Sequence, residues 1–150
     1  MNVRIEFATA DDLPQLADLL GELFTLENDF KPEREKQLRG LRLILDNPAL
    51  GRLFVLRDGE RVLGMANALI TISTAEGARV LLLEDVIVRR ELRGNGLGRK
   101  LLEHVFAWAA AQGITRVTLL ADKGNAAALD FYRKLGFDDS HMQVMRKQTA

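Results

Sequence analysis

The chain has 150 residues, 47% of them hydrophobic, with 21 acidic and 21 basic side chains, a composition that suits one globular domain with a proper core. Zero formal charge gives no electrostatic footprint for nucleic acid. The lack of cysteine removes disulfides, thiolate metal sites and a relay through an enzyme thioester, and His104 and His141 are too few for an expected metal site.

Met1 to Glu6 carries charge where a signal peptide would need an apolar core. No apolar run reaches the ~18 residues of a membrane span, so a cytoplasmic protein without membrane contact is expected. Val3 to Phe7 alternates and reads as a first strand. Thr9 to Asp12 offers capping residues before Leu13, Leu16, Leu20, Leu23 and Phe24, which recur at helical spacing. A second helix follows Pro32, with Leu38, Leu41 and Leu45 on one stripe and Asn47-Pro48 ending it. Leu53 to Arg57 and Arg61 to Ile70 form a hairpin through Asp58-Gly59-Glu60.

Arg79 to Val88 reads as the central strand, apolar on both faces and therefore covered on both. A helix from Gly98 to Ala111 buries Leu101, Leu102, Val105 and Trp108, and Gly113 fits its C-terminal cap. His104 on this helix reads as a surface residue. Thr115 to Leu120 is a β-branched strand, Asn125 to Leu135 a helix ended by Gly136, and Phe137 to Met145 a last strand carrying His141. The unit from Val80 to Leu120 is a right-handed parallel crossover beside an antiparallel hairpin, so the sheet is mixed.

The turn between Val88 and the following helix is the most informative stretch. Arg93, Arg99 and Lys100 crowd a helix start, with no acid between Arg93 and Lys100. That end already bears unpaired N–H groups and the positive pole of the helix dipole, so a bound pyrophosphate would resolve the conflict. Gly94, Gly96 and Gly98 let the backbone approach such a ligand. The spacing is not that of a P-loop, because Gly98 is followed by Arg99-Lys100 rather than Lys-Ser/Thr. A dinucleotide fingerprint would need glycine where Arg99 stands.

Arg93-x-x-Gly96-x-Gly98 after an apolar strand containing Glu84-Asp85 resembles the acyl-CoA signature of the GNAT superfamily of N-acetyltransferases. A second block, Asn125 to Phe137, resembles that superfamily's later motif. The resemblance implies a single N-acetyltransferase domain over residues 1–150, of α/β (α+β) class. It further implies a mixed, mostly antiparallel sheet of about six or seven strands, a splayed parallel central pair, and about four flanking helices. It also implies acetyl-CoA as co-substrate, with Arg93, Gly94, Asn95, Gly96, Leu97, Gly98 and Arg99 at its phosphates. Main-chain groups of Val86, Ile87 and Val88 would pair with the pantetheine arm like an added strand, and Asn125, Tyr132 and Arg133 would complete the cofactor contacts.

Acetylating an amine sets a definite problem: near pH 7 only about one lysine-like ammonium in two thousand carries a free lone pair, a deficit of roughly 4–5 kcal/mol. A base must take the proton and the leaving thiolate must be protonated. Glu84 is the expected base or acceptor-binding group. Asp85 is a weaker candidate for the acceptor, since alternation sends the two acids to opposite faces unless a bulge intervenes. Tyr132, the chain's one tyrosine, is expected to protonate the sulfur, its phenol being close in pKa to a thiol. Structural alternatives stand beside each: buried hydrogen bonding for the acids, packing for Tyr132 and Trp108, and a simple helix cap for Asn125. Glu27, Asp29 and Glu33 would present negative charge to a cationic acceptor.

The reading is transfer of an acetyl group to a primary amine of a small-molecule acceptor by direct attack in a ternary complex. A main-chain N–H of Val88 or a neighbour would polarise the thioester carbonyl. The alternatives are an acyl-CoA-binding sensor without turnover and a protein or peptide N-acetyltransferase. A homodimer is a further option, common among similar proteins.

Overall fold

The structure is a computed structural model that describes residues 1–26 and 33–150. The chain divides into two compact units, Met1–Leu120 and Ala121–Ala150.

In the first unit the order is β1 (Val3–Phe7), α1 (Leu13–Leu26), α2 (Arg34–Leu45), β2 (Gly51–Asp58), β3 (Arg61–Ser73), β4 (Ala78–Val88), α3 (Leu97–Ala111) and β5 (Val117–Leu119). The strands form one five-stranded sheet in sequential order, antiparallel except for the β4–β5 pair. The hairpin turn follows from Gly59, whose φ of +59° a side chain would resist. Alternation along β2 sorts the core into two layers. Leu53 and Val55 join Leu16, Leu19, Leu20 and Leu41 in a cluster under α1 and α2. Phe54 points the other way and meets the Trp108 ring of α3 at 5.3 Å. Trp108 is therefore packing, as its helical stripe suggested, although half-buried rather than enclosed. His104 is exposed, its ring 6.0 Å from Phe54.

α3 ends in a Schellman motif: Gly113 has φ +75°, its N–H bonds the Ala110 carbonyl, and Ile114 bonds back to Ala109. In the second unit α4 (Ala126–Lys134) ends the same way on Gly136, with Phe137 N–H donating to the Tyr132 carbonyl.

Two expectations about the sheet are corrected. The described residues form five strands, not six or seven, and Phe137 to Met145 forms none. Asp138, Asp139 and Ser140 interrupt that run, and Ser140 Oγ accepts the Met142 N–H at 3.0 Å, a local bond that competes with a ladder. The parallel pair is also not central, because β5 is the edge of this sheet and only Leu81, Leu82 and Leu83 of β4 pair with it.

Beyond Leu83 the β4 strand is irregular. Met65 pairs with Ile87 and Asn67 with Glu84, so Asp85 and Val86 stand opposite Ala66 alone. This is a β-bulge. Asp85 takes it up with φ +51°, the one positive value at a non-glycine position among the described residues. Aspartate and asparagine tolerate the left-handed region better than other side chains, which is a local reason for the residue found there.

A buried polar feature of this unit joins its first segments to β2. Arg57, 7% exposed, donates from Nη1 and Nη2 to the two carboxylate oxygens of Asp12, 4% exposed, at 3.0 and 2.7 Å. Its Nε lies 2.6 Å from Glu6 Oε1, an ion-pair contact. Asp12 Oδ2 also accepts the Thr9 N–H at 2.8 Å, completing a capping box at the turn before α1. Burial alone would raise the Asp12 carboxyl, but the Arg57 guanidinium and the Thr9 groups outweigh it and hold it below its ordinary 3.8.

Removing one member of such a pair leaves a buried charge, so Asp12→Asn is expected to lose about 3 kcal/mol in denaturant unfolding. The depressed carboxyl contributes stability above pH 3.8 that is lost as pH falls through its folded value. Thermal midpoints of Asp12→Asn and the parent should therefore converge below pH 3.8; parallel curves would show that Asp12 carries no such linkage. At the bulge, Asp85→Val should unfold about 1–2 kcal/mol more easily than Asp85→Asn, because a β-branched residue resists φ +51°. Equal stability of the two variants would mean the bulge relaxes freely.

Candidate functional site

Three features of the first unit converge around the end of β4. The first is the glycine turn. Gly94 and Gly96 have φ of +84° and +77°, and Gly96 is the N-cap of α3 without a side-chain cap. A Cβ on either glycine would meet nothing within 4 Å, so the space beside this backbone is open and the requirement is one of conformation. The helical ladder begins with Lys100 N–H to the Gly96 carbonyl at 3.1 Å. The N–H groups before Lys100 therefore have no acceptor inside the helix. No acid stands in this first turn. Open space, directed N–H groups and the dipole's positive end fit a diphosphate.

The basic side chains here are less available than the sequence implied. Arg93 Nε donates to the Val88 carbonyl at 2.9 Å, and its Nη2 lies 3.5 Å from Glu22 Oε1 of α1. Arg93 thus ties the end of β4 to the turn. Arg99 pairs with Glu103 at 2.9 Å along the helix surface. Asn95 Nδ2 donates to the Leu92 carbonyl at 3.0 Å, bracing the loop. Leu97 is buried and anchors the first turn of α3 in the core.

The second feature is the edge of β4. Val86, Ile87 and Val88 lie past the end of the β5 ladder. On the other side Ile87 pairs with Met65, and Val88 with Gly64. A Cβ at Gly64 would meet the Ile87 carbonyl at 2.9 Å, so the glycine permits this close pairing.

The third feature is the acid pair. Glu84 stands opposite Asn67, and cross-strand partners share a sheet face. Asp85 Oδ2 accepts the Asn67 Nδ2–H at 3.0 Å. The bulge therefore gathers both acids around one amide instead of sending them to opposite faces. Both are half-buried, and Asn67 is 4% exposed with its Oδ1 left without a hydrogen-bond partner. Burial pushes the Asp85 carboxyl up, and the Asn67 hydrogen bond draws it part of the way back. Asn67 escaped the sequence reading. Its one signal was an amide inside the apolar run Val62 to Ile70, where a buried polar group needs a partner.

Nearby, Glu22, Thr25, Leu26, Arg90 and Glu91 line a cleft of about 450 Å³. Glu27 and Asp29 lie outside the described residues, while Glu33 is the exposed N-cap of α2 and pairs with Lys36 at 3.0 Å.

In the second unit Asn125 caps α4, its Oδ1 accepting the Ala128 N–H at 3.0 Å. Tyr132 is half-buried between the Phe131 and Phe137 rings, with centroids at 5.3 and 5.9 Å. Its contact with Phe137 is the apolar contact that accompanies a Schellman end. Arg133 is exposed and forked onto Asp139 at 3.0 and 3.1 Å. His141 is exposed. Among the described residues no group of His, Cys, Asp and Glu is arranged to hold a metal ion, and no helix is long and apolar enough to cross a membrane.

Residues 13–137 match the model of the acetyltransferase (GNAT) family. Over 131 residues the chain is 31% identical to the uncharacterized N-acetyltransferase YobR of Bacillus subtilis (strain 168), covering 85% of this chain and 49% of that protein. The chain spans about half, or less, of the length of the curated relatives it matches. Among solved structures, a transcriptional regulator from Bacillus halodurans C-125 superposes with a TM-score of 0.85 at 27% identity, over 98% of this chain and 100% of that one. A predicted acetyltransferase with acetyl-CoA from Clostridium acetobutylicum superposes with a TM-score of 0.78 at 17% identity, over 97% and 96% of the two chains. The chain belongs to the acetyltransferase (GNAT) family.

Proposed function

We propose that residues 1–150 act as a single N-acetyltransferase domain that moves the acetyl group of acetyl-CoA to a primary amine, most simply of a small molecule, by direct attack in a ternary complex. The observation that carries the reading is the start of α3: a left-handed glycine N-cap beside open space, with no acid in the first turn, in a chain of this family. Acetyl-CoA in a structural neighbour is consistent with the ligand class.

In this reading the amides of Gly94 to Gly98 hold the diphosphate. The arginines contribute long-range attraction, because Arg93 and Arg99 already have partners. Main-chain groups of Val86, Ile87 and Val88 extend the sheet onto the pantetheine amides, and a β4 N–H polarises the thioester carbonyl. The Val88 carbonyl, engaged by Arg93, has a second lone pair to offer. Glu84 meets the acceptor's ammonium and helps to take its proton. Tyr132, assigned from its motif position, protonates the departing sulfur, and Asn125 and Arg133 are assigned to the cofactor on the same ground.

Calorimetry with acetyl-CoA should register saturable heat in the parent protein, in Glu84→Gln and in Tyr132→Phe. Acetyl-CoA consumption against polyamines, amino acids, aminoglycosides and lysine peptides should reveal an acceptor. With that acceptor Tyr132→Phe should lose about 10²-fold in kcat. No heat in the parent would end the acetyltransferase reading, and heat with undiminished Tyr132→Phe turnover would remove that residue from the mechanism.

A further inference from the structure

We infer that the outer edge of β1 pairs with the same edge of a second copy of this chain, antiparallel and centred on Ile5. β1 ends the strand order, so one side of it has no strand beside it among the described residues. Ala8 N–H donates to the Leu53 carbonyl at 2.9 Å, one step beyond the Phe7–Phe54 pair. Antiparallel ladders alternate, so Glu6 and Arg4 also turn their main-chain groups to β2. Val3, Ile5 and Phe7 therefore turn theirs outward. Such an edge, with a donor and an acceptor at every second residue, is a template for another strand.

This edge lacks the features that usually keep strands apart. Its register with β2 is unbroken by a bulge, and Val3 to Phe7 contains neither proline nor lysine. Its two charges, Arg4 and Glu6, have opposite signs and flank Ile5. A two-fold axis at Ile5 sets Arg4 of each copy opposite Glu6 of the other, and Val3 opposite Phe7. A second copy supplies this complement by symmetry alone. Centring the pair on Arg4 or Glu6 would instead oppose two like charges, which destabilises a sheet.

The side chains suit the pairing on both sheet faces. Phe7 lies on the α3 face, its ring 6.2 Å from Trp108 and covered by the Arg52 guanidinium at 3.6 Å. Val3 and Ile5 share that face by alternation and are half-buried, while Phe7 is 37% exposed. Each Val3 would gain the other copy's Phe7, an aromatic and β-branched pair of the kind that stabilises sheets. On the opposite face Arg4 lies 3.7 Å from its own Glu6 with both side chains exposed, a contact weak enough in water to be exchanged. Zero formal charge removes general repulsion between copies. The strand order puts β1 at one edge and β5 at the other, so the pairing leaves the end of β4 open.

Five residues a side make a small interface, so the dimer is weak, with Kd on the order of 100 µM. Sedimentation velocity of the full chain should show mass rising with concentration from 16.8 kDa toward twice that value. Ile5→Pro removes an outward N–H and spares the β2 ladder, so it should abolish association. Arg4→Glu opposes glutamates at both pairs and should raise Kd about tenfold. The chain has no cysteine, so single introduced ones report the register. Under mild oxidation Ile5→Cys should cross-link with itself, its Cα atoms lying about 5.5 Å apart across the axis. Val3→Cys should not, because its two copies lie about 13 Å apart along the strands. Mixed with Phe7→Cys, it should. A parent that stays monomeric up to about 1 mM overturns the inference. So does a dimer in which Val3→Cys cross-links with itself or Ile5→Cys fails to, and so does unchanged association in folded Ile5→Pro and Arg4→Glu. Should Ile5→Pro or Phe7→Cys fold poorly by circular dichroism, Arg4→Glu and the contrast between Ile5→Cys and Val3→Cys decide the matter.

Discussion

β4 must satisfy different partners along its length, and the rest of the site follows from that requirement. From Leu81 to Leu83 it is paired on both sides, with β3 and with β5. Past Leu83 its ladder among the described residues is with β3 alone, and the register slips at Asp85 and Val86. A strand bonded on both sides would resist an extra residue, because the insertion would break two ladders. Release from β5 lets the bulge occur where it does. The bulge in turn rotates the chain so that Ile87 returns to the core under α1 and both acids face Asn67.

That local irregularity is affordable because the surroundings are stiff. Leu16, Leu19, Val55, Val62 and Met65 are fully enclosed under α1 and α2. The Asp12–Arg57 pair then fixes the turn before α1 to β2 with two hydrogen bonds. α1 also supplies Glu22, which reaches Arg93 and the Arg90 amide in the glycine turn. The chain of contacts runs from a buried ion pair, through one helix, to the loop that is the candidate anion site. Each link is a directional polar contact rather than apolar packing, so it specifies orientation as well as proximity.

Much of this was legible from sequence, and for physical reasons. Helices α1, α2 and α3 carry apolar stripes at helical spacing, and every one of them formed with that stripe inward. The hairpin was marked by Asp58-Gly59, and the helix ends by Gly113 and Gly136, because positive φ leaves a residue-level mark. The bulge left no such mark: alternation of Leu83, Glu84 and Asp85 reads as a regular strand, and only pairing with Asn67 reveals the slip. The run Phe137 to Met145 misled because hydrophobic residues alone do not make a strand. Asp138, Asp139 and Ser140 favour local bonds, as the Ser140–Met142 contact illustrates. The roles of Arg93 and Arg99 were likewise invisible, since sequence gives the charge of a side chain and not the carbonyl or carboxylate that claims it.

Those claimed arginines bear on how an anion would be held. An arginine tied to Val88 and Glu22 can turn toward a phosphate only by giving up a backbone hydrogen bond and an ion-pair contact. A main-chain N–H at a helix start pays no comparable cost, since helix geometry has already aimed it outward without a partner. Binding at the Gly96 cap should therefore draw mainly on amides and dipole, interactions that keep their geometry when salt screens the surface charges. The glycines and the helix start, more than the basic residues that first drew notice, are what make this turn suited to a diphosphate.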